Sequence, residues 1–84
     1  MIKTIKFNME LKLSECEKNK DYIISKIKIK EDEIKHRLKC LGFLEKEKIR
    51  VLNNNYGDTC YLIKVMGVNY AVDKTICDGI VVSV

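Results

Sequence analysis

The stretch Ile34-Lys35-His36-Arg37-Leu38-Lys39-Cys40-Leu41-Gly42-Phe43 decides how this chain of 84 residues folds. Ile34, Leu38 and Leu41 are spaced by four and then three, which predicts one inward face of a short helix. Gly42 stands where that helix needs a left-handed residue to end, a conformation glycine adopts without steric cost. Glu31, Asp32 and Glu33 gather at its start and Lys35, Arg37 and Lys39 further along, each sign complementing the nearer pole of the helix. An extended segment follows at once from Phe43.

Working outward, the rest of the chain reads as strands. Residues 5–13 alternate through Ile5, Phe7, Met9, Leu11 and Leu13, the period of a half-buried edge strand or arm. Ser14 to Lys20 is polar and turn-like. Asp21–Ile29 is the first firm strand, with Ile23, Ser25, Ile27 and Ile29 on one face and Tyr22, Ile24 and Lys26 on the other. Lys48–Asn53 and Thr59–Val65 flank a loop signal at Asn53-Asn54-Asn55-Tyr56-Gly57-Asp58. Gly67 marks a tight turn before Val68–Val72. Residues 73–77 suffice for one helical turn capped by Asp73, and Ile80–Val84 closes the chain. Five or six short strands with one helix inserted after the first predict an all-β fold, a small curled barrel whose closure removes exposed edges.

The length allows one domain. Residues 1–50 hold fourteen Lys/Arg and nine Asp/Glu, net +5, whereas residues 51–84 hold two Lys and three Asp, net −1. The first half can therefore offer a basic face to an acidic protein, anionic lipid or nucleic acid. The N-terminus has no uninterrupted apolar stretch, and no run approaches the ~18 apolar residues of a membrane span, so a cytoplasmic location without membrane insertion is expected. Cys16, Cys40, Cys60 and Cys77 form no CxxC pair and read as reduced thiols rather than a zinc knot or disulfide framework.

The candidate chemistry lies on the helix. His36 and Cys40 are four apart and stack on one face, with Asp32 one turn earlier, so imidazole, thiolate and carboxylate are the candidate ligands of Fe²⁺ or Zn²⁺; a solvated helix face would carry the same residues. No cofactor is required by the sequence. Arg37 borders the apolar stripe, where its stem would lie over the core and its guanidinium would reach a carbonyl, a carboxylate or a partner. Lys26, Lys28, Lys30, Lys35 and Lys39 surround the helix and would speed association with an acidic surface. One histidine and four separate glycines argue against nucleophilic catalysis and a phosphate loop, so no enzymatic activity is expected. The competing reading is a small basic nucleic-acid-binding barrel, with Tyr22, Tyr56, Tyr61 and Tyr70 as a stacking platform.

Four segments together resemble the FeoA family. They are His36 to Phe43, Ile49-Arg50-Val51-Leu52, Val65-Met66-Gly67-Val68-Asn69-Tyr70-Ala71-Val72, and Ile76 with Ile80-Val81-Val82. Leu38, Leu41, Gly42, Gly67 and Ala71 carry the signature. The resemblance implies an FeoA-like domain over residues 11–84, an arm or edge strand over 1–10, and a Src-homology-3-like barrel of five to six strands. It further implies a non-enzymatic accessory of bacterial ferrous iron uptake that contacts a FeoB-type membrane transporter. Lys35, Arg37 and Lys39 are then the candidate partner-binding residues, and self-association stays open. The family often has glycine in two turns that here read Lys18-Asn19-Lys20 and Glu45-Lys46-Glu47; asparagine tolerates positive φ, so Asn19 can substitute, whereas Lys46 is less suited to it.

Overall fold

The computed structural model describes residues 10–56 and 59–84. In chain order the elements are β1 (Glu10–Lys12), a 3₁₀ turn (Leu13–Glu15), β2 (Asp21–Ile27), α1 (Asp32–Leu41), β3 (Lys48–Tyr56), β4 (Cys60–Val65), β5 (Val68–Asp73), α2 (Lys74–Cys77) and β6 (Ile80–Ser83). The six strands make one antiparallel sheet in the order β1-β6-β2-β3-β4-β5. The all-β class with one inserted helix is as the sequence predicts.

Period-two alternation sets the inward faces of the hairpin strands. Ile49 and Val51 of β3, and Ile63 and Val65 of β4, are buried, and Val72 of β5 joins them. Chain closure adds β6 between β1 and β2. A strand flanked on both sides and covered on both faces needs an unbroken apolar run, and Ile80, Val81 and Val82 are all buried.

The face assignment of β2 needs correction. Tyr22 and Ile24 are buried while Ile23 is 37% exposed, yet further along Ile29 is buried. A register shift between Ile24 and Lys26 against β6 explains the change. One extra residue in a ladder swaps which side chains point inward. The turn after α1 docks near this bulge, with Lys46 N–H donating to the Ile24 carbonyl (2.8 Å) and Ile24 N–H donating to that of Glu47 (2.9 Å).

Two further boundaries differ. Within the expected strand at residues 5–13, the described part is β1 followed at once by the 3₁₀ turn; residues 5–9 lie outside the described residues. The asparagine run belongs to β3 rather than to the loop, although its register against β4 shifts between Val51 and Asn53 and again between Asn53 and Tyr56. Asp73 precedes α2 as expected but makes no capping hydrogen bond with its side chain.

Positive φ occurs at Asn19 (60°) and Lys46 (75°), the two turns where the resemblance leads one to expect glycine. Met66 (51°) and Gly67 (78°) form the two-residue turn between β4 and β5, whose flanking residues Val65 and Val68 pair. Positive φ at both central positions is the type I′ hairpin turn, which twists with the strands it joins.

Candidate functional site

Helix α1 stops as its sequence dictates. Gly42 has φ 107° and ψ 6°. Gly42 N–H donates to the Lys39 carbonyl (3.1 Å) and Phe43 N–H reaches back to that of Leu38 (2.9 Å). Those two bonds define a Schellman ending, which brings the residue after the glycine over the last turn of the helix. Phe43 and Leu38 accordingly both belong to the core, and Phe43 is fully buried. This phenylalanine is a main anchor of the helix, a role the sequence reading missed. A signal for it was present, because a Schellman ending calls for an apolar residue at that position.

The stop directs α1 across the edge of the sheet and leaves a groove of about 310 Å³ between the helix and β5. Ile34, Leu38, Tyr70, Val72 and Ile76 form its apolar wall, with Arg37 and Asp73 among the residues that line it. Leu41, expected to face inward, is 37% exposed and also lines this groove. It is the last residue before the stop, where the chain already turns away from the core. Tyr70 ties the two sides together. Its hydroxyl donates to the Leu41 carbonyl at 3.4 Å and its ring lies 5.8 Å from that of Phe43.

The other signature residues divide between this groove and the β4–β5 turn. Ala71 is among its lining residues. Gly67 lies in the β4–β5 turn, and the Met66 side chain beside it packs over Gly42, whose added Cβ would lie 2.6 Å from Met66 Sδ. Leu44, Met66 and Val68 are exposed apolar residues of the helix-end turn and the hairpin.

The three candidate cations do not share one site. Arg37 lines the groove, whereas Lys35 and Lys39 line a separate depression with Ile27, Phe43, Leu44 and Glu45. Of the candidate metal ligands, His36 Nε2 and Cys40 Sγ lie 3.6 Å apart on the exposed side of α1. Among the described residues, no group of three or more His, Cys, Asp or Glu side chains converges, so Asp32 does not join that pair.

The remaining thiols divide by burial. Cys16 and Cys77 are buried, and loss of hydration pushes their pKa up to about 11 and about 12. Cys60 is half-buried, with its thiol 3.7 Å from Asp73 Oδ1. Elsewhere on the surface Arg50 Nε donates to Asp21 Oδ1 at 2.8 Å, a bond that holds the Asp21 carboxyl below its ordinary range.

Among the described side chains, the tyrosines do not make a stacking platform. Tyr22 is buried, with its hydroxyl accepting from Glu17 N–H at 3.1 Å. Tyr61 is half-buried, its hydroxyl 3.4 Å from the Ser14 carbonyl. Tyr70 is committed to the helix end, and the Tyr56 side chain lies outside the described ones.

The six antiparallel strands among the described residues, with helix α1 laid over the edge of their sheet, are the Src-homology-3-like class of small barrel. Residues 11–84 match the FeoA domain, and the chain belongs to the FeoA family. Its fold is shared with the solution structure of FeoA from Chlorobium tepidum, at 24% identity and TM-score 0.77 over 88% of this chain and 70% of that one. It is similar to Stenotrophomonas maltophilia FeoA, which was crystallised with zinc and described as a prokaryotic SH3-domain protein. That match has 24% identity and TM-score 0.74, covering 86% of this chain and 88% of the other. A manganese-dependent transcriptional repressor contains the same fold, at 11% identity and TM-score 0.81, over 94% of this chain but only 44% of the repressor. No curated protein sequence matches the chain. Among the described residues, no helix is long and apolar enough to cross a membrane.

Proposed function

We propose that this protein is a non-enzymatic accessory of ferrous iron uptake that works in the cytoplasm by binding the cytoplasmic part of a FeoB-type transporter. The observation that carries the reading is the groove between α1 and β5. Family membership supports the iron-transport context. An apolar cleft with a charged residue at its border is suited to gripping a protein segment, whose apolar side chains it removes from water.

Two further features support contact rather than catalysis. Strand β5 is the last in the sheet order, so one row of its backbone groups has no strand partner among the described residues. Such an edge can accept an extended segment while the groove takes its side chains. The single histidine, His36, is exposed on α1 and is not among the groove's lining residues. Lys35 and Lys39 lie near enough on α1 to attract an acidic partner surface, raising the association rate more than the affinity.

The test is a pull-down of the full chain with the cytoplasmic domain of a ferrous transporter, repeated with nucleotide and with Fe²⁺. Retention in at least one state is expected, together with no salt-sensitive binding to single-stranded DNA or RNA. Binding to nucleic acid and not to the transporter would favour the other reading.

A further inference from the structure

Away from the groove, the outward face of the β3–β4 hairpin gathers three cations. Lys48 and Arg50 are alternate residues of β3 on either side of buried Ile49, so they point to the same face. Lys64 of β4 pairs directly with Arg50, and Asp21 of β2 pairs with Arg50 from the other side. These side chains and Glu47 line a depression of about 320 Å³ that reaches the turn at Met66 and Gly67. We propose that this depression is a docking surface for an extended acidic segment of a partner protein, with Lys48, Arg50 and Lys64 as its carboxylate contacts. It shares no residue with the groove beside α1, so it stands or falls independently of the transporter reading.

The charge pattern is the first argument. Like charges directly opposite on neighbouring strands destabilise a sheet, yet Arg50 faces Lys64 across the β3–β4 ladder. Asp21 answers only part of that charge, by accepting the 2.8 Å bond from Arg50 Nε. The bond orients the guanidinium and leaves its terminal nitrogens as donors to a further carboxylate. Among the described residues the ion pairs are Lys26–Glu10 and Arg50–Asp21, so the exposed Lys48 and Lys64 have no carboxylate at contact distance. The three cations nevertheless act on one place. The Asp21 carboxyl is held below its ordinary range first by the Arg50 hydrogen bond and then by the charges of Arg50, Lys48 and Lys64.

Spacing identifies the occupant. Alternate residues of a strand lie about 6.6 Å apart, and directly opposed residues of neighbouring strands about 5 Å. Cations set out in that way match carboxylates at alternate positions of an extended chain, which repeat at the same ~6.6 Å. A single small anion would instead need the cations drawn together on one point. Nucleic acid fits less well, because no aromatic side chain among the described residues lines the depression for a base to stack on. Asp21 and Glu47 would also repel a continuous phosphate backbone. A protein segment can set its carboxylates over the three cations and keep them clear of those two acids, so the contact selects register as well as charge.

The experiment uses the full chain, labelled with ¹⁵N, and a fluorescent decapeptide of alternating glutamate and threonine. Anisotropy reads the affinity and amide shifts map the contact. Expected are shifts centred on residues 48–50 and 64, and binding that weakens severalfold between about 50 and about 200 mM salt. An isomer of the peptide with the same glutamates in one run should bind more weakly. Lys48→Gln and Lys64→Gln should each weaken binding about twofold to fivefold, as loss of one exposed ion pair does, and together about tenfold. Lys28→Gln with Lys30→Gln, at two lysines that line a different depression, should leave it unchanged. Unchanged circular dichroism will verify the folds. Absence of binding, equal binding by the Lys48/Lys64 variant, equal weakening in the Lys28/Lys30 control or equal affinity for the isomer would overturn the proposal. So would saturation of the same amides by millimolar inorganic phosphate, the mark of a small-anion site, or tighter binding there of a thymidine oligonucleotide.

Discussion

Replacing Gly42 with alanine probes the residue on which the helix direction depends. Two costs are available, and the structure separates them. The first is backbone conformation, because φ is 107° and an L-residue held on the left-handed side loses about 1–2 kcal/mol. The second is steric, because the new Cβ would lie 2.6 Å from Met66 Sδ and 3.2 Å from Met66 Cγ. Met66 is 62% exposed, however, so its side chain can swing into solvent at small cost. The expected loss is therefore about 1–2 kcal/mol, nearly all from the backbone. For a domain of this size, with net stability of ~3–5 kcal/mol, that is a large fraction. Urea unfolding followed by far-ultraviolet circular dichroism would show it. With a slope near 1 kcal/mol/M, the midpoint should fall by about 1–2 M. The discriminating measurement is the same substitution in a Met66→Ala background, where the loss should agree within about 0.5 kcal/mol. A loss that disappears in that background would refute the reasoning, placing the cost in the Met66 contact.

Other outcomes follow from strained turns and buried thiols. Lys46 has φ 75°, so Lys46→Gly should raise stability by about 0.5–1 kcal/mol, the difference between relieved strain of ~1–2 kcal/mol and added unfolded-chain entropy of ~0.5–1 kcal/mol. An unchanged or lower urea midpoint would contradict this. Iodoacetamide at neutral pH should label Cys40 and, more slowly, Cys60, while buried Cys16 and Cys77 react only on unfolding; intact mass against time checks the order. Both buried thiols have pKa values raised from 9.0, to about 11 and about 12, so between pH 9 and those values the unfolded state loses the protons first. Their contribution to stability is thus fully present below pH 9 and falls as pH rises through that window. Cys77→Ala should flatten this alkaline loss relative to the parent, as measured by urea midpoints across the range.

Much of the architecture is legible in the sequence because local and long-range signals agree. The Ile34/Leu38 spacing, the acids at the start of α1 and Gly42 at its end all specify one helix with one stop. The turn at Gly67 and the apolar run at Ile80–Val82 are similarly unambiguous. What escaped was set by tertiary register. The phase of β2 depends on a bulge opposite β6, and nothing in Ile23-Ile24-Ser25 marks which isoleucine turns inward. Leu41 fits the apolar stripe but sits where the chain leaves the core, and Phe43 takes the buried position. Of the candidate site, the His36–Cys40 pairing is a helix periodicity and was readable. The separation of Arg37 from Lys35 and Lys39 was not, since it depends on where β5 runs beside the helix.

The groove between α1 and β5 is the centre of the functional account, and calorimetric titration against the cytoplasmic domain of a ferrous transporter tests it most directly. Leu41 lines that groove and is partly exposed, so Leu41→Asp places a charge in it with little damage to the core. The parent chain is expected to bind and this variant, folded to the same extent, to bind about tenfold or more weakly, a loss of over ~1 kcal/mol of the kind that truncating an interface hot spot causes. Equal binding by both, or no heat of binding by the parent in any nucleotide or iron state, would contradict it.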